Sequence, residues 1–265
     1  FSLELTKEVD PVVLQEAVDL SMESFPFYKV VLRRGAFWYY FEKTEKSPLV
    51  EEENNSVCAP IFFNNERELL FRVFYYGNRI SIETHHTLTD GTGAFWLLKT
   101  LVYHYLTIKY NEVFKDNMPP RPYSPSIGQK TDDSFQKYYT GNSKIKYETL
   151  EKAYHISGTR VEDNRSILIE GSMSVKAVLD EAHKYNTTLT GYLTSLLIYS
   201  IYNEMPVRQR KKPIIISVPV NLRQYFKSET ARNFFGTIRV KYNVSEQGDS
   251  FANIVKTVND TFAKK

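Results

Sequence analysis

The residues of this sequence best suited to chemistry lie together in His85-His86-Thr87-Leu88-Thr89-Asp90-Gly91. Just before them, Arg79 to Thr84 alternates: Ile80, Ile82 and Thr84 fall on one face of a strand, and Arg79, Ser81 and Glu83 on the other. Carried forward, that parity puts His86 on the apolar face and His85 on the opposite one. Adjacent histidines on a strand are poorly placed to share a metal ion, and no His or Cys cluster stands nearby to complete a site. The spacing better suits one inward imidazole acting as a base, with the Asp90 carboxylate folding back across a turn as its structural partner. Gly91 and Gly93 leave the backbone beside the imidazole bare, so that a substrate or a thin cofactor arm can come close. The competing reading is packing alone, with a satisfied core histidine and an Asp that caps the helix it precedes.

These residues need a strand to deliver them and a helix to hold them. Ala94, Leu97, Leu98, Leu101, Tyr105 and Ile108 recur at helical spacing, which predicts a buried helix of about five turns. Upstream, Leu69 to Tyr75 reads as a strand that Tyr76-Gly77-Asn78 turns into the histidine-bearing one. Earlier still, Asp10-Pro11 to about Ser21 predicts a helix with Asp10 as N-cap, Pro11 at its first position and Val12, Ala17, Val18 and Ser21 facing inward. Tyr28 to Arg33 and Ala36 to Glu42 read as two strands turning at Gly35, the second carrying Phe37-Trp38-Tyr39-Tyr40-Phe41. Glu51-Glu52-Glu53 with Asn54-Asn55 marks a loop.

Beyond the long helix, residues 117–140 lose periodicity and gather Pro119, Pro120, Pro122 and Pro125, which predicts a long crossing loop. Ser166 to Glu170 reads as a short strand, Ser174 to Tyr185 as a helix with Val175, Val178, Leu179 and Ala182 on one side, and Thr188 to Met205 as a second helix capped by Thr188. Arg208-Gln209-Arg210-Lys211-Lys212 reads most simply as a solvated turn before a buried strand from Ile214 to Val220, ahead of a nucleic-acid or nuclear-import patch or a contact to cofactor phosphates. Thr237 to Val244 alternates like a strand, and a last helix runs from about Ser250 to Ala263. Mixed helices and strands, with no internal repeat, indicate an α+β or α/β fold in two lobes: 1–125 with the histidine motif, 126–160 as crossing loop or linker, and 161–265 as part of the second.

His85-His86-x-x-x-Asp90-Gly91 resembles the active-site motif of the acyl-CoA-dependent acyltransferase superfamily, which includes chloramphenicol acetyltransferases, plant BAHD acyltransferases, alcohol acetyltransferases and peptide-synthetase condensation domains. A second segment resembles it too: Ser217-Val218-Pro219-Val220-Asn221-Leu222-Arg223 followed by Asn233-Phe234-Phe235-Gly236 looks like its arginine-bearing strand and downstream Asn-aromatic-Phe-Gly segment. The resemblance implies a chloramphenicol-acetyltransferase-like α+β fold of two similar lobes with an active-site tunnel between them. It implies acyl-CoA as co-substrate with no bound cofactor, and a small alcohol or amine as acceptor. His86 is then the general base, needing no covalent intermediate. Asp90, the other residue assigned to the catalytic motif, orients its loop by pairing with an arginine, Arg223 in the first place and Arg33 or Arg34 in the second. His85, Gly91, Asn233 and Gly236 support the site, and Thr87, Thr89 and Asn233 are candidate oxyanion donors. His104, His155 and His183 read as structural. Family members extend well past the Asn-Phe-Phe-Gly segment, so the second lobe looks incomplete; either the chain continues or another subunit completes the tunnel, and the early position of the histidine favours the first. Two alternatives remain, a condensation-type domain fed by a carrier protein and a non-catalytic binding module of the same fold.

Composition agrees with a globular protein. The 265 residues are 42% hydrophobic, enough for one large or two smaller cores, and the net charge of +3 asks for no nucleic-acid partner. Cys58 is the one cysteine, which rules out an internal disulfide and fits a reducing, cytoplasmic setting. No stretch approaches the roughly 20 apolar residues of a spanning helix, and a first residue Phe1 suggests that the natural N-terminus lies upstream. Aromatics make up 14% of the chain; Phe37, Trp38 and Trp96 fit either a greasy substrate channel or ordinary core packing.

Overall fold

A computed structural model describes residues 1–61, 68–141, 151–159 and 166–264, which form two units. The first comprises Phe1–Tyr139 together with Asn221–Phe234, and the second Thr140–Val220 together with Phe235–Lys265. The Arg223 and Asn233 segment, assigned by sequence to 161–265, thus has its contacts with the histidine motif's own unit.

In the first unit β1 (Ser2–Glu4), α1 (Pro11–Ser24), β2 (Val30–Arg34), β3 (Tyr39–Lys43), β4 (Val50–Glu52), β5 (Phe71–Tyr76) and β6 (Arg79–Thr84) precede the long helix α2 (Gly91–Lys109). The sheet order is β1-β6-β5-β4, antiparallel except for the parallel β4–β5 pair, while β2 and β3 form a separate hairpin. Asp10 caps α1, its Oδ1 accepting from Val12 N at 3.0 Å and Val13 N at 3.3 Å. The buried stripe of α1 is Leu14, Ala17, Val18, Ser21 and Met22, a 3.6-residue repeat aimed at α2 and the sheet. Val12 is 77% exposed, contrary to expectation: as the second residue of the helix it lies off that stripe. The core joins these residues to Leu97, Leu98, Leu101 and Tyr105 of α2 and to Phe71, Val73, Ile80 and Ile82 of the sheet.

Two expectations are corrected. Glu51 and Glu52 are not loop but lie in β4, because the backbone of this acidic stretch pairs with β5 while both carboxylates face water at a sheet edge. Ser166 to Glu170 is not a strand: Ile167, Leu168 and Ile169 are exposed, and no described strand pairs with them, without which an extended segment has no ladder to belong to.

After α3 (Asn111–Phe114), the proline-rich stretch expected to be a crossing loop carries two five-residue helices, α4 (Ile127–Thr131) and α5 (Ser134–Tyr138). Their own propensity does not explain them. A capping box at Ser126–Gln129 starts α4, and contacts to 227–231 hold both: Lys130 O accepts from Ala231 N at 2.8 Å, Ser134 Oγ meets Ser228 Oγ at 2.7 Å, and Tyr138 Oη donates to Lys227 O at 2.7 Å.

The second unit contains α6 (Val175–Lys184), α7 (Leu189–Glu204), β7 (Ile214–Asn221), β8 (Phe235–Tyr242), α8 (Val244–Gln247) and α9 (Phe251–Ala263). Ser174, Thr188 and Ser250 cap α6, α7 and α9. Its core is Ile198, Met205, Ile214, Val240, Tyr242, Ile254 and Val258.

Candidate active site

Strand β6 stops at Thr84, one residue before the histidines. His85 N still donates to Leu70 O at 2.7 Å, but Leu88 N then donates to His85 O at 3.0 Å and closes a turn over 85–88. The alternation therefore does not reach His86. It is carried at the exposed crest of that turn, not on the buried face that strand parity predicts. His85 is half-buried, with Nδ1 2.9 Å from Thr87 Oγ1.

Below the turn lies Asp90, where the two alternatives weighed from sequence prove compatible. Its Oδ1 accepts from Gly93 N at 3.1 Å as the N-cap of α2. Its Oδ2 accepts from Arg223 Nη1 and from Phe234 N, both at 2.8 Å. The Asp90 and Arg223 side chains are only 8% and 6% exposed, so the pair is a buried one. Arg33 instead pairs with Glu42 across the β2–β3 hairpin.

Arg223 sits on a short 3-10 turn, Leu222–Gln224, and spends its remaining donors on the chain that follows: Nε on Thr230 O at 2.9 Å and Nη2 on Arg232 O at 2.6 Å. Its guanidinium lies 5.3 Å from the Trp96 ring centre, and Trp96 stacks on Tyr123 at 4.1 Å. Tyr123 in turn donates a short hydrogen bond to Glu229 O, and burial raises its phenol pKa. Segment 221–234 is thereby folded onto the start of α2. Asn221 Nδ2 donates to Thr92 Oγ1 at 3.2 Å, and Thr89 Oγ1 donates to Ala231 O at 2.6 Å.

This docking explains Gly93. A Cβ there would run into the Ala231 carbonyl and Thr89 Oγ1. The bare backbone expected to admit a substrate admits the 221–234 segment instead. Gly91, by contrast, is exposed at the first position of α2.

Asn233 reaches the histidine loop directly: Nδ2 donates to His86 O at 2.8 Å and approaches Thr87 O at 3.4 Å. Its amide hydrogens are thus engaged with backbone, and its buried Oδ1, which has no hydrogen-bond partner, is an acceptor. That chemistry differs from the oxyanion donor considered from sequence. Thr89 is buried and committed to Ala231 O, while Thr87 is exposed beside His86. Gly236 is the second residue of β8, in the other unit.

Sequence reasoning missed Tyr123 and Ala231 as parts of the site, quoted Asn221 only within the arginine-bearing segment, and offered Trp96 only as channel lining or core. One signal was available for Trp96: three residues after Gly93, it shares that face of α2. An open cleft of about 640 Å³ borders the arginine, lined by Trp96, Arg121, Tyr123, Gln129, Asn221 and Glu229 among others. Lys130 lies near it, 5% exposed, with Nζ 5.1 Å from the Phe25 ring and 5.2 Å from the Tyr123 ring; burial lowers its pKa.

No protein-family model and no curated protein sequence matches the chain. Solved structures do. The first condensation domain of the CDA synthetase superposes with a TM-score of 0.57 at 15% identity, over 99% of this chain and 67% of that one. The chain shares the chloramphenicol-acetyltransferase-like α+β fold of this condensation domain. SgcC5 from Streptomyces globisporus matches with a TM-score of 0.62 at 15% identity, over 99% of this chain and 65% of SgcC5. TRI101 from F. sporotrichioides, solved with coenzyme A and T-2, gives 0.59 at 11% identity over 99% and 70%. The chain thus spans about two thirds of the length of these structures.

Proposed function

We propose that the protein is an acyltransferase, moving an acetyl or other acyl group from a CoA thioester to an alcohol or amine, with His86 as general base. One observation carries this reading. His86 is exposed on a turn whose backbone is held from two sides, by Asn233 on its own carbonyl and by the buried Asp90–Arg223 pair beneath. Burying an ion pair and a network of charge-assisted hydrogen bonds to fix a two-histidine turn suits a base that must be positioned. The shared fold, in a relative solved with coenzyme A, agrees.

In the proposed step an imidazole nitrogen of His86 takes the proton from the acceptor O–H or N–H as that atom attacks the thioester carbonyl carbon. The carbon–sulfur bond then breaks, and the imidazolium returns the proton to the departing thiolate, so atoms and charges balance without a covalent enzyme intermediate. A positioned base supplies on the order of 10² to 10⁴ in rate; orientation of the two substrates and donors to the oxyanion supply the rest. Thr87, exposed next to His86, is the hydroxyl best placed for a share of that donor role.

A carrier-protein donor is the second reading, favoured by the match to a condensation domain. One experiment separates the two. Thiol release is measured from acetyl-CoA, longer acyl-CoAs and acyl groups on a carrier protein, with a panel of alcohols and amines, for the protein at full natural length and its His86→Ala variant. Acceptor-dependent release from CoA, lowered about 10²-fold or more in a folded variant, is the expected result. Release from the carrier alone moves the donor assignment. Equal rates in both proteins remove His86 from the chemistry.

A further inference from the structure

The hairpin of β2 and β3 is rooted in the core and ends in water. Val30 and Val31 are buried, but Phe37 is 90% exposed and Trp38 69%, and Tyr39, Tyr40 and Phe41 follow them as exposed residues. Five consecutive exposed aromatics are far outside the scatter of single apolar residues normal on a protein surface. They are not on a loose loop: Gly35 N donates to Trp38 O at 2.8 Å, in a turn so tight that a Cβ on Gly35 would stand 2.9 Å from that oxygen. The Phe37 and Trp38 rings lie 6.2 Å apart at the tip.

Charge is sorted between the two faces of the hairpin. The register sets Arg34 opposite Tyr39, Leu32 opposite Phe41 and Val30 opposite Lys43, so one face carries Arg34, Tyr39, Phe41 and Lys43 in water, with Val30 and Leu32 packing on the core at its root. Arg33, Tyr40 and Glu42 occupy the other face, where Arg33 pairs with Glu42. The only acid of the hairpin is thus neutralised away from the Arg34–Lys43 face. Neither Arg34 nor Lys43 has an ion-pair partner among the described residues. The result is an aromatic tip with two cations behind it on one side.

We propose that this hairpin docks on a lipid bilayer surface, placing Phe37 and Trp38 at headgroup depth and Arg34 and Lys43 against anionic headgroups. Trp, Tyr and Phe with flanking Lys and Arg is the composition that partitions into the bilayer interface, where amphipathic rings sit among headgroups and basic side chains meet negative surface potential. A protein partner fits less well. Protein interfaces are depleted in lysine, and Lys43 stands within the face that would be covered. The proposal uses no residue of the His86 turn or of the Asp90–Arg223 pair, so this docking goes beyond the acyl-transfer reading and stands or falls without it.

The test uses the intact chain and vesicles of phosphatidylcholine alone or with about one third phosphatidylserine. The chain has two tryptophans, Trp38 at the exposed tip and Trp96 stacked on Tyr123, so a lipid-dependent change in emission reports Trp38. The expected result is co-sedimentation with the mixed vesicles, a blue-shifted emission, and quenching of the unmodified protein by lipids brominated near the headgroup. Phe37→Ser/Trp38→Ser should lower binding about tenfold or more, from the apolar surface lost. Arg34→Glu/Lys43→Glu should do so for the mixed vesicles, at about fivefold per cation removed. All four positions are at the surface, so far-ultraviolet circular dichroism should be unchanged. Absence of vesicle binding together with absence of brominated-lipid quenching overturns the proposal. So does binding that both variants retain, or a concentration-dependent blue shift without lipid, which would assign the hairpin to a contact between copies of the chain.

Discussion

Replacing Asp90 by Asn separates a helix cap from a lock. As an N-cap, Asn is equal to Asp, so a carboxylate that merely started α2 would tolerate the change at a cost of a few tenths of a kcal/mol. The structure predicts otherwise because every partner of Asp90 is a donor. Gly93 N points at Oδ1, while Arg223 Nη1 and Phe234 N converge on Oδ2. An amide has one oxygen. Whichever way Asn is turned, its NH₂ group faces either the cap donor or the arginine and the Phe234 amide, and a buried donor is left unpaired.

Removing one partner of a buried ion pair costs roughly 3 to 5 kcal/mol. Arg223 keeps its bonds to Thr230 O and Arg232 O, so the lower end, about 3 kcal/mol, is the expected loss. That equals roughly a 150-fold change in the folding equilibrium of the first unit. Urea unfolding in a Trp38→Phe background measures it, because Trp96 then reports alone and lies under the Arg223 guanidinium. The midpoint should fall with little change in slope. The double variant Asp90→Asn/Arg223→Met should lose less than the sum of the two single changes, since no unpaired charge remains. A loss below about 1 kcal/mol in Asp90→Asn would refute the reasoning and reduce Asp90 to a cap.

Gly93→Ala should destabilise the first unit by about 1 to 3 kcal/mol in the same titration, because the atom it meets first is backbone, Ala231 O, which cannot swing aside. Asn233→Ala should lower kcat by tenfold or more at nearly unchanged stability, since it frees the carbonyl of His86 without touching the core; an equal activity in the thiol-release assay would contradict that role. His104 has its pKa lowered, first by burial and then by Arg121, with Lys130 adding to the effect and Glu23 opposing it. The unfolded chain therefore binds the proton more readily. The stability tied to neutral His104 is complete above about pH 6.5 and is lost as pH falls toward the lower folded-state value. The urea midpoint should drop between about pH 8 and pH 5.5, and His104→Gln should flatten that slope.

What the sequence disclosed, it disclosed through local rules. Asp10-Pro11 and Thr188 start helices by satisfying amides within three residues, the Gly35 turn joins neighbouring strands, and α2 shows its buried face by spacing alone. The failures are non-local. Strand β4 is acidic and becomes a strand only because β5 lies parallel to it, and α4 and α5 are too short to persist without residues 227–231. The tip aromatics Phe37 and Trp38 carry no periodicity that would distinguish a core from a surface.

The same distinction bears on why so short a motif is informative. Asp90 and Thr89 receive a segment more than a hundred residues downstream, at Phe234 N and Ala231 O, and Gly93 makes room for its backbone. Arg223 folds that segment to shape, and Asn233 completes it by gripping His86 O. The motif thus records a docking geometry in which Asp90, Gly93, Arg223 and Asn233 serve to hold one exposed turn, and His86 is what they hold. Removing either member of the motif's buried pair, Asp90 or Arg223, leaves a buried donor or charge unmatched. Its intactness in the first unit supports a functional turn more strongly than the histidines alone, because two adjacent histidines cost a fold little to keep or lose, and a buried guanidinium does not.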